Sequence, residues 1–138
     1  MYLIFDTETT GLPQNYNAPL TDFENWPRLV QIAWQLHDMR GNLLVARNLI
    51  VKPEGFTIPY NSVQIHGITT ERALEEGKDL KEVLAMFEED MKGAEFGIGH
   101  NIEFDYNIVG SEFLRAGLTN PLEHLEELDT KLVSTNYC

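Results

Sequence analysis

The feature that most constrains the fold is an apolar run, Tyr2-Leu3-Ile4-Phe5, which leads directly into Asp6-Thr7-Glu8. This run predicts a strand buried on both faces of a sheet, and the polar residues that follow predict that the strand ends at Asp6. Residues i and i+2 of extended backbone project to the same face, so Asp6 and Glu8 should lie side by side. Two adjacent carboxylates near a buried strand are costly to desolvate, so the fold must give them a cation or open water.

Three interpretations of the Asp6 and Glu8 pair are open on these residues alone. The pair can hold a divalent cation, because Mg²⁺ and Mn²⁺ prefer carboxylate oxygen. Both side chains can instead follow the strand into solvent with Asp6 capping a turn, and this spacing is common. A phosphatase with a nucleophilic Asp6 is the third, but that pattern has a second Asp where Glu8 stands, which counts against it.

The first half of the chain predicts a meander of three antiparallel strands. A polar loop follows Thr10-Gly11 and reaches about Pro27. Residues 29–36 and 43–51 are rich in β-branched and apolar side chains, and the segment 38–42 between them contains Gly41, which suits a hairpin turn. No internal repeat or low-complexity tract interrupts this pattern.

The second half predicts helices that alternate with short strands. Thr69 or Thr70 should cap a short helix that reaches Leu74. Asp79 should open a longer one, because residues 80, 83, 84, 87 and 91 are apolar at helical spacing. A strand over 96–99, a helix from Asn101 to about 116, and a final strand or helix over 122–128 should follow, with Asp129 capping one more helix. We therefore expect a single α/β domain with a mixed sheet over residues 1–138.

Asp105 is the second candidate for chemistry. It falls in the first turns of the helix predicted after Asn101, where the helix dipole by itself favours an acidic residue. Ile108, Val109 and Phe113 lie three, four and eight residues further on, so Asp105 should share the core-facing stripe. An acid in that position needs a partner, and a chain with ten Lys+Arg in total offers few, so a metal ion is the economical choice.

Histidine and cysteine add little by themselves. His66 stands beside a glycine turn, where a histidine is usually structural, and His37 and His124 have no distinguishing context. The only cysteine, Cys138, cannot form an internal disulfide, which favours a reducing, cytoplasmic location. No apolar run reaches the roughly 20 residues of a membrane span, and we see no secretory signal.

The charge balance limits how the chain can grip nucleic acid. With 22 Asp+Glu against 10 Lys+Arg, the formal charge is −12. A broad basic surface of the kind that wraps duplex DNA is therefore absent. Bound divalent cations can still be the largest charges in a nucleic-acid site, so we expect weak intrinsic affinity or a partner that supplies the grip.

Considered together, these segments resemble the DEDD family of 3′–5′ exonucleases, and most closely its proofreading branch, the epsilon subunit of bacterial DNA polymerase III. Residues 6–11, Asp-Thr-Glu-Thr-Thr-Gly, resemble the first motif of that family, and residues 100–105, His-Asn-Ile-Glu-Phe-Asp, resemble its second. Gln31-Ile32-Ala33 and His66-Gly67-Ile68-Thr69 also fit. The resemblance spans Tyr2 to about Thr130, and the loop over 13–27 is longer than the simplest members need.

The resemblance implies a ribonuclease-H-like fold and removal of nucleotides from single-stranded 3′ ends with two Mg²⁺ or Mn²⁺ ions. Asp6, Glu8 and Asp105 would be the catalytic metal ligands. The positions that line the terminal-nucleotide pocket in the family correspond to Thr9, His66, His100 and Phe104. Association with a DNA polymerase is also implied.

One part of the family pattern is not found where it is expected. Family members complete the site with a downstream helix carrying a His and, after four intervening residues, a fourth metal-binding Asp. His124 and Asp129 have this spacing but follow Asp105 too closely, and Leu128-Asp129-Thr130 better resembles the Asp-Thr that ends a strand before that helix. We therefore expect a chain truncated before the third motif. The alternative is a catalytically incomplete module that binds a polymerase or another partner.

Overall fold

The computed structural model describes residues 1–99 and 102–129 as one mixed α/β arrangement. Five strands form a single sheet in the order β3-β2-β1-β4-β5, with antiparallel β1–β2 and β2–β3 pairs and parallel β1–β4 and β4–β5 pairs. The predicted meander and mixed sheet are therefore confirmed. The elements are β1 Tyr2–Thr9, β2 Leu29–His37, β3 Leu43–Ile50, α1 Tyr60–His66, α2 Thr70–Glu76, α3 Leu80–Met91, β4 Phe96–Gly99, α4 Ile102–Arg115, a 3₁₀ turn Pro121–His124 and β5 Glu126–Asp129.

Strand β1 differs from its prediction in two respects. It continues past Asp6 to Thr9, because the antiparallel ladder with β2 extends through Asp6↔Ala33 and Glu8↔Gln31. It is also buried on one face only: Leu3, Phe5 and Thr7 are buried, whereas Ile4 and Asp6 are exposed. Burial on both faces was predicted because all four residues of the run are apolar, but Ile4 lies on the open face of the sheet.

The hairpin between β2 and β3 is held by Asp38. Its Oδ1 accepts hydrogen bonds from the backbone N–H groups of Arg40 and Asn42, both at 2.9 Å. Gly41 adopts φ +85°, which a side chain would disfavour. The side-chain hydrogen bond from Asn42 lowers the pKa of Asp38, which stays ionised as the turn requires. The turn predicted over 38–42 is confirmed.

The predicted helices are present, with α2 ending at Glu76 instead of Leu74, and one helix was not predicted. The Thr69 hydroxyl accepts from the backbone N–H of Arg72 and caps α2 at its start, and Asp79 precedes α3. Helix α1 was not predicted. It has one buried residue, Ser62, and no side-chain cap at Pro59, so neither an apolar stripe nor a capping signal marks it in the sequence.

The core lies between the sheet and helices α3 and α4. Phe87 is its centre, with ring centroids 5.4 Å from Phe5, 5.2 Å from Trp34 and 6.4 Å from Phe113. This packing fixes α3 and α4 on the face of the sheet to which Leu3 and Phe5 point. Within residues 1–99 and 102–129, no helix is long and apolar enough to cross a membrane.

The last described elements bear on the predicted third motif. Asp129 ends β5, opposite Gly99 in the parallel ladder, as the strand-end interpretation predicts. The segment from His124 to Asp129 is a 3₁₀ turn followed by a strand, so these two residues do not share the helix that a third motif would need. The helix predicted after Asp129 lies outside the described residues.

Candidate active site

The site begins with the alternation of side chains along β1. Asp6 and Glu8 project from one face of the strand and Thr7 projects from the other, toward α4. Asp6 is exposed and Glu8 is partly buried. The two carboxylates therefore lie at the sheet surface, beside the β1–β4 crossover where ligands bind in open α/β sheets.

Asp105 approaches the same strand from α4. It is in the first turn of the helix and only 5% exposed, and its Oδ1 accepts a 2.6 Å hydrogen bond from the Thr7 hydroxyl. Its neighbours Ile108 and Val109 are fully buried, so the predicted core-facing stripe is confirmed.

The environment of Asp105 favours its protonated form. Burial raises the pKa of Asp105 from 3.8 to about 7. The hydrogen bond from Thr7 opposes this rise, and the negative charges of Asp6 and Glu8 add to it. No described Lys or Arg contributes to the pKa of Asp105. The group is thus a buried acid beside two other acids, without a cationic partner in the part of the chain that the structure describes.

Thr7 is the residue that the sequence analysis missed. It stands between the two candidate ligands and connects β1 to α4 across 98 positions of sequence. The available signal was the strand period: a residue between two outward carboxylates must face inward, and a hydroxyl there needs a buried partner.

His66 is positioned by two hydrogen bonds to backbone. Its Nδ1 accepts from the N–H of Ile68 at 3.1 Å, so the ring proton is on Nε2, which lies 3.3 Å from the carbonyl oxygen of Thr9. Both ring nitrogens are therefore in use. In this arrangement His66 connects α1 to the end of β1, and it is available neither as a metal ligand nor as a general base.

A cavity of about 230 Å³ adjoins the end of β1. It brings together Glu8 with three of the four residues predicted to bind substrate, Thr9, His66 and Phe104. The fourth, His100, lies outside the described residues. Asp6 and Asp105 do not line this cavity, which is formed by Thr7, Glu8, Thr9, Gly11, Leu12, Ser62, Ile65, His66 and Phe104.

The donor chemistry of the three carboxylates fits a hard divalent cation, because all are oxygen ligands and no described cation neutralises Asp105. The distances between the three carboxylates fit such an ion less well. Among the residues that the structure describes, no three His, Cys, Asp or Glu side chains are grouped closely enough to hold a metal ion. Asp6, Glu8 and Asp105 thus supply the right ligand types in an open arrangement, and the side chains of His124 and Asp129 lie outside the description.

The comparisons with known proteins identify the family. Residues 3–136 match the RNase_T family, described as an exonuclease. The PolC-type DNA polymerase III of Streptococcus sanguinis is 30% identical over 118 residues, which are 85% of this chain and 7% of that protein. The corresponding protein of Lactococcus lactis is 30% identical over 118 residues, 85% of this chain and 6% of that protein. The chain thus spans less than a tenth of the curated relatives that it matches.

Solved structures show the same fold. The crystal structure of Escherichia coli exonuclease I in complex with a dT13 oligonucleotide superimposes with a TM-score of 0.77 and 20% identity, over 99% of this chain and 29% of that one. A product-bound exonuclease I gives a TM-score of 0.77 and 21% identity, over 96% of this chain and 30% of that one. The predicted ribonuclease-H-like fold and the resemblance to 3′–5′ exonucleases are confirmed: the chain belongs to the RNase_T exonuclease family.

Proposed function

We propose that this domain removes nucleotides one at a time from the 3′ end of single-stranded DNA or RNA, in a reaction that depends on Mg²⁺ or Mn²⁺. The observation that carries the proposal is the position of Glu8, which lines the cavity of Thr9, His66 and Phe104 while Asp6 and Asp105 lie beside it. A metal ligand in the wall of the cavity that takes the terminal nucleotide is what cleavage at a 3′ end requires.

The reaction is hydrolysis of the last phosphodiester bond. Water adds to phosphorus, the bond from phosphorus to the 3′ oxygen of the preceding nucleotide breaks, and a nucleoside 5′-monophosphate leaves with a 3′ hydroxyl on the shortened strand. Two bound divalent ions in such sites lower the pKa of the attacking water and stabilise the leaving oxygen. Asp6, Glu8 and Asp105 would hold those ions, and Asp105 must first release the proton that its raised pKa retains.

The remaining residues position the substrate. Thr9 and His66 shape the cavity through backbone contacts, and Phe104 offers a face on which a base can stack. His66 is not the general base, since both nitrogens are occupied. The family resemblance assigns that role to a further His on a helix. Such a helix would have to reach Asp6 from the open face, because α3 and α4 fill the other.

A second candidate is a catalytically incomplete module that binds a polymerase. Two observations favour it: the open ligand arrangement among the described residues and the polymerase relatives of the chain. The acidic charge is consistent with weak intrinsic binding of nucleic acid. Within either proposal, a cytoplasmic location and a single domain over 1–138 remain predictions.

The deciding experiment follows degradation of a 5′-labelled single-stranded DNA by this chain and by the full open reading frame that encodes it. The first proposal predicts stepwise shortening from the 3′ end that requires Mg²⁺ or Mn²⁺. Asp6→Asn should slow it by at least about 100-fold, the effect typical of losing one catalytic group. Glu75→Gln, which removes the same charge from an exposed position of α2, should have no effect.

Metal binding gives a readout that does not depend on turnover. Mn²⁺ should raise the melting temperature of the wild-type protein, and Asp6→Asn should abolish most of that rise. Metal-dependent stabilisation without shortening of DNA in either protein would favour the non-catalytic module. If neither metal nor DNA has any effect, both proposals are wrong.

A further inference from the structure

The loop over residues 13–27, which we name the Trp26 loop, is held in shape by internal hydrogen bonds. Trp26 is 2% exposed, and its indole N–H donates to the carbonyl oxygen of Pro19 at 2.9 Å. The backbone N–H of Asn15 donates to the side chain of Asn25 at 2.8 Å, and the Asn25 amide donates to the carbonyl oxygen of Asn15 at 2.9 Å. These contacts fix the two arms of the loop to each other.

A buried ion cluster fixes the Trp26 loop to helix α4, which also carries Asp105. Glu112 is fully buried and accepts from Arg115 and, at 3.1 Å, from Arg28 Nε. Arg115 also donates to the carbonyl oxygens of Phe23 at 2.7 Å and Trp26 at 3.2 Å. The loop therefore keeps a fixed position relative to the candidate metal ligands.

The Trp26 loop lines a second cavity of about 330 Å³, which shares two lining residues with the first. Gly11 and Leu12 line both cavities, and Leu12 is 74% exposed. Phe23 also lines the second cavity and keeps 37% of its surface exposed, with the Arg115 guanidinium carbon 5.3 Å from the centre of its ring. A strand whose last nucleotide fills the first cavity therefore has an adjoining aromatic surface within reach.

The charges of the second cavity favour a base over a phosphate. Arg28 lines the cavity, but it and Arg115 share the buried Glu112 as their partner, and Glu24 is also in the lining. No excess positive charge is left for a phosphate. Gln14 is exposed in the same lining and offers an amide that can hydrogen-bond to the edge of a base.

We propose that the Trp26 loop binds the second nucleotide from the 3′ end, whose base stacks on Phe23 and meets the Gln14 amide. This inference rests on the proposed exonuclease function. It would make the loop the element that distinguishes a strand from a single nucleotide: the first cavity takes the residue to be removed, and the second takes the base that remains with the chain.

The test uses the protein expressed from the full open reading frame. It measures how tightly this protein binds a 5′-fluorescent dT12 whose phosphorothioate linkages resist hydrolysis. Phe23→Ala should weaken binding by roughly 5- to 100-fold, the range of one lost base–aromatic stack. An oligonucleotide that lacks only the second base from the 3′ end should bind wild-type protein equally weakly, and Phe23→Ala should add nothing to that loss. Phe23→Trp should preserve binding.

Two controls separate this role from a structural one. Tyr16→Ala changes another exposed aromatic of the same loop that is not in the cavity lining, and should not weaken binding. Binding of thymidine 5′-monophosphate, which has no second nucleotide, reports on the first cavity alone and serves as the reference for the loss seen with the oligonucleotide.

The outcomes are distinct. The inference is overturned if wild-type protein binds and shortens DNA but Phe23→Ala is indistinguishable from it. It is also overturned if the Phe23→Ala loss coincides with removal of the terminal base, or of the third, in place of the second. If wild-type protein neither binds nor degrades the oligonucleotide, the proposed function itself fails, and this inference fails with it.

Discussion

Leu3, Phe5 and Thr7 point from β1 toward α3 and α4 and are almost completely buried, whereas Ile4 and Asp6 point from the same strand into an open depression of about 470 Å³. The first face is closed by aromatic packing around Phe87. The second carries Asp6, which is exposed, and Glu8, which is partly buried. Because side chains alternate along a strand, β1 contributes to the core with one face and to the candidate site with the other.

The two faces meet at one hydrogen bond. Thr7 belongs to the closed face, but its hydroxyl holds Asp105, whose pKa is raised in part by Asp6 and Glu8 of the open face. The comparison therefore predicts that substitutions on the closed face affect stability most, those at the junction affect it in a pH-dependent way, and those on the open face affect it least.

The largest effect should come from Phe87→Ala. The ring contacts Phe5, Trp34 and Phe113, and its removal leaves a cavity that this rigid aromatic cluster cannot close. We expect the free energy of unfolding in urea to fall by about 3–5 kcal/mol. Phe87→Leu, which keeps most of the volume, should cost clearly less. Similar losses for the two variants would mean that the closed face is loosely packed.

The junction should respond to pH through Asp105. Its folded-state pKa of about 7 exceeds the ordinary 3.8, so the folded protein holds a proton that the unfolded chain releases. Stability without metal should therefore fall as pH rises from about 4 to 7, and the full penalty, on the order of 4 kcal/mol, should be present at pH 8.

Asp105→Asn removes that penalty and can still accept the Thr7 hydrogen bond. We expect the variant to be about 2–4 kcal/mol more stable than wild type at pH 8 and nearly equal to it at pH 4, by urea unfolding without divalent metal. Glu75→Gln on exposed α2 serves as the charge-matched control. A variant that is less stable than wild type at pH 8 would show that the Asp105 carboxylate has a favourable partner.

A smaller effect is expected where His66 connects α1 to β1. His66→Ala leaves the N–H of Ile68 without its acceptor, in a residue that is 2% exposed, which should cost about 1–2 kcal/mol. His66→Asn should recover most of this, because an Asn oxygen can accept from the N–H two residues on. His37→Ala, whose hydrogen bonds are exposed, should cost less. Equal losses in all three variants would refute the specific role of the ring.

These differences also explain which features the sequence could predict. Helix α3 was predicted because its apolar residues repeat at the helical period and face a core. Helix α1 was missed because Tyr60 and Ile65 are exposed and only Ser62 is buried, so the helix leaves no periodic signal. The one-sided burial of β1 was missed because Ile4, an apolar residue on the open face, hid the alternation.

The candidate site was also predicted only in part from the sequence. The shared face of Asp6 and Glu8 follows from strand geometry alone, and the burial of Asp105 from its helical stripe. The Thr7–Asp105 hydrogen bond could not be predicted, since it joins residues 98 positions apart whose contact depends on the packing of α4. The second cavity is lined by residues 10–28, but the shape of that loop depends on its hydrogen bonds to Arg115 of α4. Local periodicity fixes which way a side chain points, whereas tertiary packing decides what it meets.

The smallest effect should come from Ile4→Ala on the open face. The side chain is 39% exposed and lies in the depression that contains Asp6, so its truncation leaves no closed cavity and should cost less than about 1 kcal/mol in urea unfolding of this chain. Leu3→Ala, one residue earlier and fully buried, is the matched control and should cost about 2–5 kcal/mol. A comparable loss at both positions would mean that the open face is covered in solution, and the contrast between the two faces of β1 would then be wrong.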